Sequence, residues 1–309
     1  MGHDRTNGGD TSHCAATLSR AHSGAPFTIG SGFTASQFRH TDFPERAMSP
    51  FVLVDHFVMT APTFDVHPHA GMSAVTLLFE DTRGEMSSVD SIDHRSAFGA
   101  GDLHWTLAGR GILHTQLPVS PDARIHALQI FVNLPDRAKA TPPDSFKVAG
   151  SDMPQIESQG VRLRLVAGEL SGRKSPAKTP EPVLMIDGYL ESPQAPVIIP
   201  IPAEWNAWLY VISGSLTVDG AISIAKGQAV CASADANGTT LRLTANGSNH
   251  FVLLAGPRID EPIVQHGPFV FTSMEDVARA IAAVNTGQFG EVRDLGEPAP
   301  PVSAARIHG

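Results

Sequence analysis

The sequence predicts an all-β chain in two halves with one short helix near its C-terminal end. Three observations lead there. The chain has 309 residues, enough for two modest β domains. Its 28 glycines and 24 prolines suit many turns and few long helices. Short apolar runs alternate at period two between turn residues, as half-buried strands do.

Residues 1–25 are rich in Gly, Ser, Thr and His and read as a mobile arm, because such a composition buries little apolar surface. Strands begin at Phe27. Phe51–Phe57 is apolar and ends in polar residues. Ala74–Phe79 reads as a buried strand with its turn at Glu80–Gly84, and Met86–Ser91 as another strand. Phe98–Asp102 is a Gly-rich turn, and Trp105 after it is expected to fill a barrel. Ile125–Leu134 is the clearest strand, with His126, Leu128, Ile130, Val132 and Leu134 on one face.

Residues 136–158 contain Pro and Lys and read as a crossing segment. Val161–Val166 alternates cleanly. Residues 168–182 read as an exposed loop, since the glycines lack the spacing of a phosphate-binding loop. Three strand–turn–strand units follow, with hairpins expected at Ser213-Gly214, Lys226-Gly227 and Asn246-Gly247. Ser273–Val284 is the best helix. Ser273 and Asp276 suit a capping box, Val277, Ile281 and Val284 form a stripe, and Gly287 can end it.

Composition narrows the function. A net charge of −9 without a Lys/Arg cluster argues against direct nucleic-acid binding through phosphates. Two cysteines, Cys14 and Cys231, read as free thiols, the second as a buried small hydrophobe, so a reducing cytoplasm is the default. No apolar run reaches membrane-span length and no signal-peptide core is visible. Met1-Gly2 with Thr6 fits an acylation pattern too short to carry weight.

The chemistry concentrates between Asp65 and Pro118. His67 and His69 stand two apart, and His114 and Gln116 stand two apart, so each pair can leave one face of a strand. With 14 histidines in the chain, one His-x-His arises easily by chance, but a second pair behind a Gly-rich bend raises the odds. Three imidazoles and an amide on one surface suit a divalent transition metal with open positions. His94, His104 and His126 read as turn, strand and rim histidines rather than ligands.

The motifs His67-Pro-His-Ala-Gly71, Gly101-Asp-Leu-His-Trp105, Ala108–His114 and Gln129–Leu134, with Gly256–Pro262 and Gly267–Val270, resemble the pirin family of the cupin superfamily. The resemblance covers roughly residues 27–290. It implies two tandem jelly-roll-like cupin β-barrels with one mononuclear metal in the first. The expected organisation is an arm (1–25), a first barrel (26–140), a linker (141–160), a second barrel (161–290) that includes the helix 273–286 and binds no metal, and a tail (291–309). The family's ligands map onto His67, His69 and His114. Its fourth ligand is usually Glu, and here Gln116 stands in that place.

Some pirins resemble quercetin 2,3-dioxygenases, where that glutamate helps deprotonate a flavonol. A neutral amide cannot act as that base. Three readings follow. The first is a dioxygenase using Fe(II), or Ni, Zn, Mn or Cu, with a flavonol-like substrate and O₂, and with His56 or Glu80 as the base. The second is a metal- or redox-sensing module with a protein partner. The third is a bicupin that has lost its metal.

Overall fold

A computed structural model describes residues 16–191, 195–245 and 247–293. Four large sheets stack as layers. In the first half, a four-stranded sheet (His67–His69, Ile112–Pro118, Met86–Asp90, Arg95–Phe98, in that order) faces a seven-stranded one. In the second half an eight-stranded sheet faces another four-stranded one. The expected all-β architecture of two sandwich-like halves with a short C-terminal helix is present.

The seven-stranded sheet is apolar on both faces, because it has a sheet on each side. Phe33, Phe57, Met59, Leu78 and Ala127 face the first sandwich, with Met86 and Phe98 opposite. Phe38, Val54, Leu77, Trp105, Leu128 and Ile130 face the other way, onto Met185, Trp208, Tyr210, Val252 and Leu254 of the second half. Trp105 therefore fills the space between the halves rather than a barrel, and stacks 6.0 Å from Phe146. Each such side chain contributes about 2 kcal/mol on burial, so this interface behaves as a continuous core.

The predicted strands of the second half are present, but their pairing differs. Trp205–Ser213 lies in the eight-stranded sheet and Ser215–Val218 in the four-stranded one. Gly214, at φ +78°, thus carries the chain across the sandwich instead of closing a hairpin. Gly227 does the same, as does the turn at Gly247, whose neighbour Asn246 lies outside the described residues. The hairpin closes at Asp219-Gly220, where Ser215–Val218 pairs with Ile222–Ala225. Both residues are left-handed (φ 51° and 68°), which the twist of a tight hairpin favours.

The boundaries between the parts also differ from expectation. Residues 144–148 and 155–158 of the expected linker are strands that form one edge of each large sheet. The described part of the N-terminal arm is not loose: Thr17–Leu18 and His22–Ser23 pair with Gln228–Ser233 of the second half. Conversely, the C-terminal helix, Met274–Asn285, packs on the first. Ala280 and Phe289 cluster with Ala70 and Leu113, and Phe269 bridges Ala70. Each half is completed by chain from the far end. The helix begins as expected, the Ser273 hydroxyl accepting the Asp276 N–H at 3.2 Å, and Gly287 follows it at φ +73°.

Residues 168–182 carry a short hairpin, Glu169–Leu170 with Arg173–Lys174, and line an open cavity of about 630 Å³. Cys231 is buried and free, its thiol pushed well up by burial. Cys14, the Met1-Gly2 pattern and residues 294–309 of the tail lie outside the described residues. Among those described, no helix is long and apolar enough to cross a membrane.

Candidate metal centre

The strand His67–His69 pairs antiparallel with Ile112–Pro118, and His67 lies directly opposite His114. Period two then puts the rings of His67, His69 and His114 on one face. Their centroids form a near-equilateral triangle of 4.9, 4.7 and 4.8 Å. One nitrogen from each comes within 4.8 Å of the others.

The surroundings keep these rings neutral. Burial holds His69 and His114 well below the ordinary imidazole range, and lowers His67 against the opposing pull of the Asp65 carbonyl. That carbonyl accepts a hydrogen bond from His67 Nδ1 at 2.8 Å, which leaves the Nε2 lone pair free. His69 Nδ1 and both nitrogens of His114 are buried without a hydrogen-bond partner. Unsatisfied buried polar atoms cost about 1–3 kcal/mol each. Three neutral imidazoles converging with unpaired nitrogens are the donor set a divalent transition metal fits.

Glycines shape the approach to the three histidines. Gly71, at φ +76°, follows His69, and a Cβ there would fall 2.0 Å from the Val270 carbonyl oxygen. Lys139, almost fully buried, donates to the carbonyls of Gly71 (2.9 Å) and Val270 (3.0 Å) and to Asn133 Oδ1 (2.6 Å). It ties the loop after His69 to the returning C-terminal chain. Gly111 does more than bend the chain before His114, since a Cβ there would meet the Phe289 ring at 2.2 Å.

Gln116 lines the same cavity as the three histidines, yet both ends of its amide are engaged. Its oxygen accepts from the Thr76 hydroxyl at 2.7 Å and its nitrogen donates to His104 Nδ1 at 3.1 Å. Thr76 also lies 3.1 Å from Gln129 Oε1. Burial lowers His104 to about 4, so its ring is neutral and can accept.

The two bases suggested by sequence do not reach the cavity. His56 points out of the opposite face of its strand, into the space between the halves. Its Nδ1 meets the Tyr210 hydroxyl at 2.6 Å and its Nε2 meets His126 Nε2 at 2.7 Å. His126, placed at a rim from sequence, also bonds Asp81 at 2.6 Å. Glu80 is held by both Arg162 nitrogens (3.1 and 2.7 Å) and by Arg164 (3.6 Å), a clasp between the halves.

The carboxylate that does line the cavity is Asp55, beside His56 in sequence. Burial pushes it up to about 6, against the Gln37 hydrogen bond and Arg39. Gln37, Asp55, Gln129, Thr76 and His104 are successive cross-strand neighbours. They form one polar row across the sheet, beneath the histidines. A polar residue inside each of five strands was the available signal for this row.

The cavity of about 220 Å³ is otherwise apolar and aromatic. Phe33, Phe57, Phe64, Phe131, Met59 and Met86 form its walls, and Gly267 and Pro268 come from the C-terminal chain. Phe131 stands edge-on to His69 at 5.2 Å.

Residues 12–132 match the Pirin family and residues 187–290 match the Pirin C-terminal cupin domain. The chain belongs to the pirin family. Pirin from Homo sapiens is 34% identical over 76% of this chain and 81% of its own length. Pirin-1 from Arabidopsis thaliana is 32% identical over 78% and 83%. Among solved structures, a quercetin 2,3-dioxygenase from Acinetobacter baumannii superposes with a TM-score of 0.79 at 27% identity, over 90% of this chain and 99% of that one. The bacterial pirin YhhW from Escherichia coli, in complex with nickel(II), shares the fold (TM-score 0.61, 20% identity, 79% and 100% covered). The pirin bicupin assignment and the three-histidine cluster thus stand together in this chain.

Proposed function

We propose that this pirin is a metal-dependent dioxygenase of the quercetinase type, acting on a small aromatic that carries an enolic or phenolic hydroxyl. The observation that carries the reading is the opening of three neutral imidazoles into an aromatic-walled cavity. His67, His69 and His114 would hold one divalent metal, with Fe(II) first and Ni, Zn, Mn or Cu as alternatives. When bound, such a metal supplies Lewis acidity and, if redox-active, an electron route to O₂. Phe33, Phe57 and Phe131 would sandwich a flat ring and exclude water from it. Gln116 enters the reading as a weak fourth donor, through the lone pair of its amide oxygen that Thr76 does not use. The likeness to a quercetin 2,3-dioxygenase structure supports this choice of reaction.

One observation favours a second reading. With both ends of Gln116 occupied, the fourth-ligand position offers no free carboxylate, which suits a metal- or redox-sensing module that binds a protein partner without turnover.

The test is elemental analysis of protein purified without a metal-affinity column, beside His114→Ala, followed by O₂ uptake with a flavonol. One equivalent of metal, absent in the variant, together with flavonol-dependent O₂ uptake supports the dioxygenase. Metal without uptake turns the reading to the sensing module. No metal after anaerobic Fe(II) loading refutes both.

A further inference from the structure

We propose that Asp55 is the proton acceptor for a hydroxyl group bound in the cavity, in place of the carboxylate that Gln116 lacks. The inference rests on the reading of the cavity as a site for an enolic or phenolic ligand. It begins from what lines that space. Gln116 and Gln129 are amides and do not titrate. The three imidazoles turn toward one another. His56 and Glu80 are spent on contacts between the halves. Among the described residues, Asp55 is the carboxylate that reaches the cavity.

Its setting suits that work. Gln37 Nε2 donates to Asp55 Oδ1 at 2.9 Å, which fixes the side chain from the side away from Gln129. Oδ2 has no hydrogen-bond partner among the described residues. Among the described residues no arginine or lysine forms an ion pair with the carboxylate, unlike Glu80 and Asp187, and Arg39 acts on it only at longer range. Burial raises its proton affinity, so it takes a proton more readily than a surface aspartate. In the step itself, the ligand O–H bond breaks and the proton passes to a carboxylate oxygen of Asp55. The electron pair stays on the ligand oxygen. No oxidant takes part, and no proton leaves the site, because the ligand anion formed beside the carboxyl raises its proton affinity further.

That last point gives the test. The full chain is loaded with Zn(II), which has no redox chemistry. It is titrated with the simplest flavonol, 3-hydroxyflavone, whose anion absorbs at longer wavelength than the neutral form. Titration at about pH 7.5, well above the raised carboxyl range, starts with Asp55 ionised. Absorbance reports the bound anion, and calorimetry in buffers of different ionisation enthalpy reports protons released. The wild type is expected to form the anion with no net proton release. Asp55→Asn, nearly isosteric and checked for equal zinc content and melting temperature, is expected to bind the neutral form or release one proton per anion. Equal proton release per anion in both proteins, or a neutral ligand in the wild type, overturns the assignment to Asp55 while leaving the ligand site intact. Failure of the wild type to bind the probe overturns the assignment together with the proposed function beneath it.

Discussion

The Thr76 hydroxyl donates to the amide oxygen of Gln116 at 2.7 Å across the two sheets of the first half. The nitrogen of the same amide lies 3.1 Å from His104 Nδ1, so both of its ends are held. Gln116 is therefore built into the floor of the cavity as a strut between sheets. A carboxylate in its place would keep the Thr76 bond and add a charge beside three neutral imidazoles.

Gln116→Glu is accordingly expected to raise metal affinity by about tenfold and to increase flavonol turnover. Competition with a chelator of known affinity checks the first, and O₂ uptake the second. Unchanged affinity would mean that the side chain at this position does not touch the metal.

Asp187 is fully buried, bonding Arg164 at 2.6 Å and His250 at 2.6 Å, and Arg164 in turn donates to the Gly101 carbonyl of the first half at 2.6 Å. Asp187→Ala leaves the buried guanidinium with only the more distant, exposed Glu80 carboxylate at 3.6 Å. The expected loss is about 3–5 kcal/mol of stability, read from denaturant unfolding. A loss under about 1 kcal/mol would show that water reaches the pair.

Lys139→Met removes the donor to three buried oxygens while keeping most of the side-chain volume. The expected cost is about 2–4 kcal/mol in melting experiments, with weaker metal binding because the Gly71 loop loses its tether to Val270. Retention of wild-type metal affinity would separate the tether from the site.

His56 is pushed down to about 3 by burial, then by the neighbouring His126 and His250; Asp81 opposes this, Lys226 adds to it, and the Tyr210 hydroxyl and Phe79 ring pack against it. A depressed folded-state value means that the unfolded chain binds the extra proton first. Stability from this group is complete above about 6.5 and is lost as pH falls toward 3. His56→Gln should therefore show a shallower fall in melting temperature between these limits. An identical slope would place the acid sensitivity elsewhere.

Much of this was legible in the sequence. Period two pairs His67 with His69 and His114 with Gln116 without tertiary information, and the pirin resemblance joins the two pairs. The capped helix at Ser273 was legible for the same local reason. What failed was non-local. Gly214 and Gly227 look like hairpin turns, but a turn that crosses between sheets uses the same residues as one that closes a pair. Asp219-Gly220 carried the stronger hairpin signal and was passed over. Asp55 was missed in favour of His56, although neighbours in a strand face opposite ways. Choosing between them required knowing that this sheet is covered on both sides.

The exchange of terminal segments between the halves has a consequence for synthesis. A ribosome that has delivered the first 140 residues has made all three histidines but not Gly267, Pro268 or Phe289, which wall the cavity and back the loop before His114. Nor has it made the strand on which Thr17 and His22 pair. A chain cut short before residue 267 would carry all three histidines and lack Gly267 and Pro268 from the cavity wall. Completion of the cavity thus waits on completion of the polypeptide.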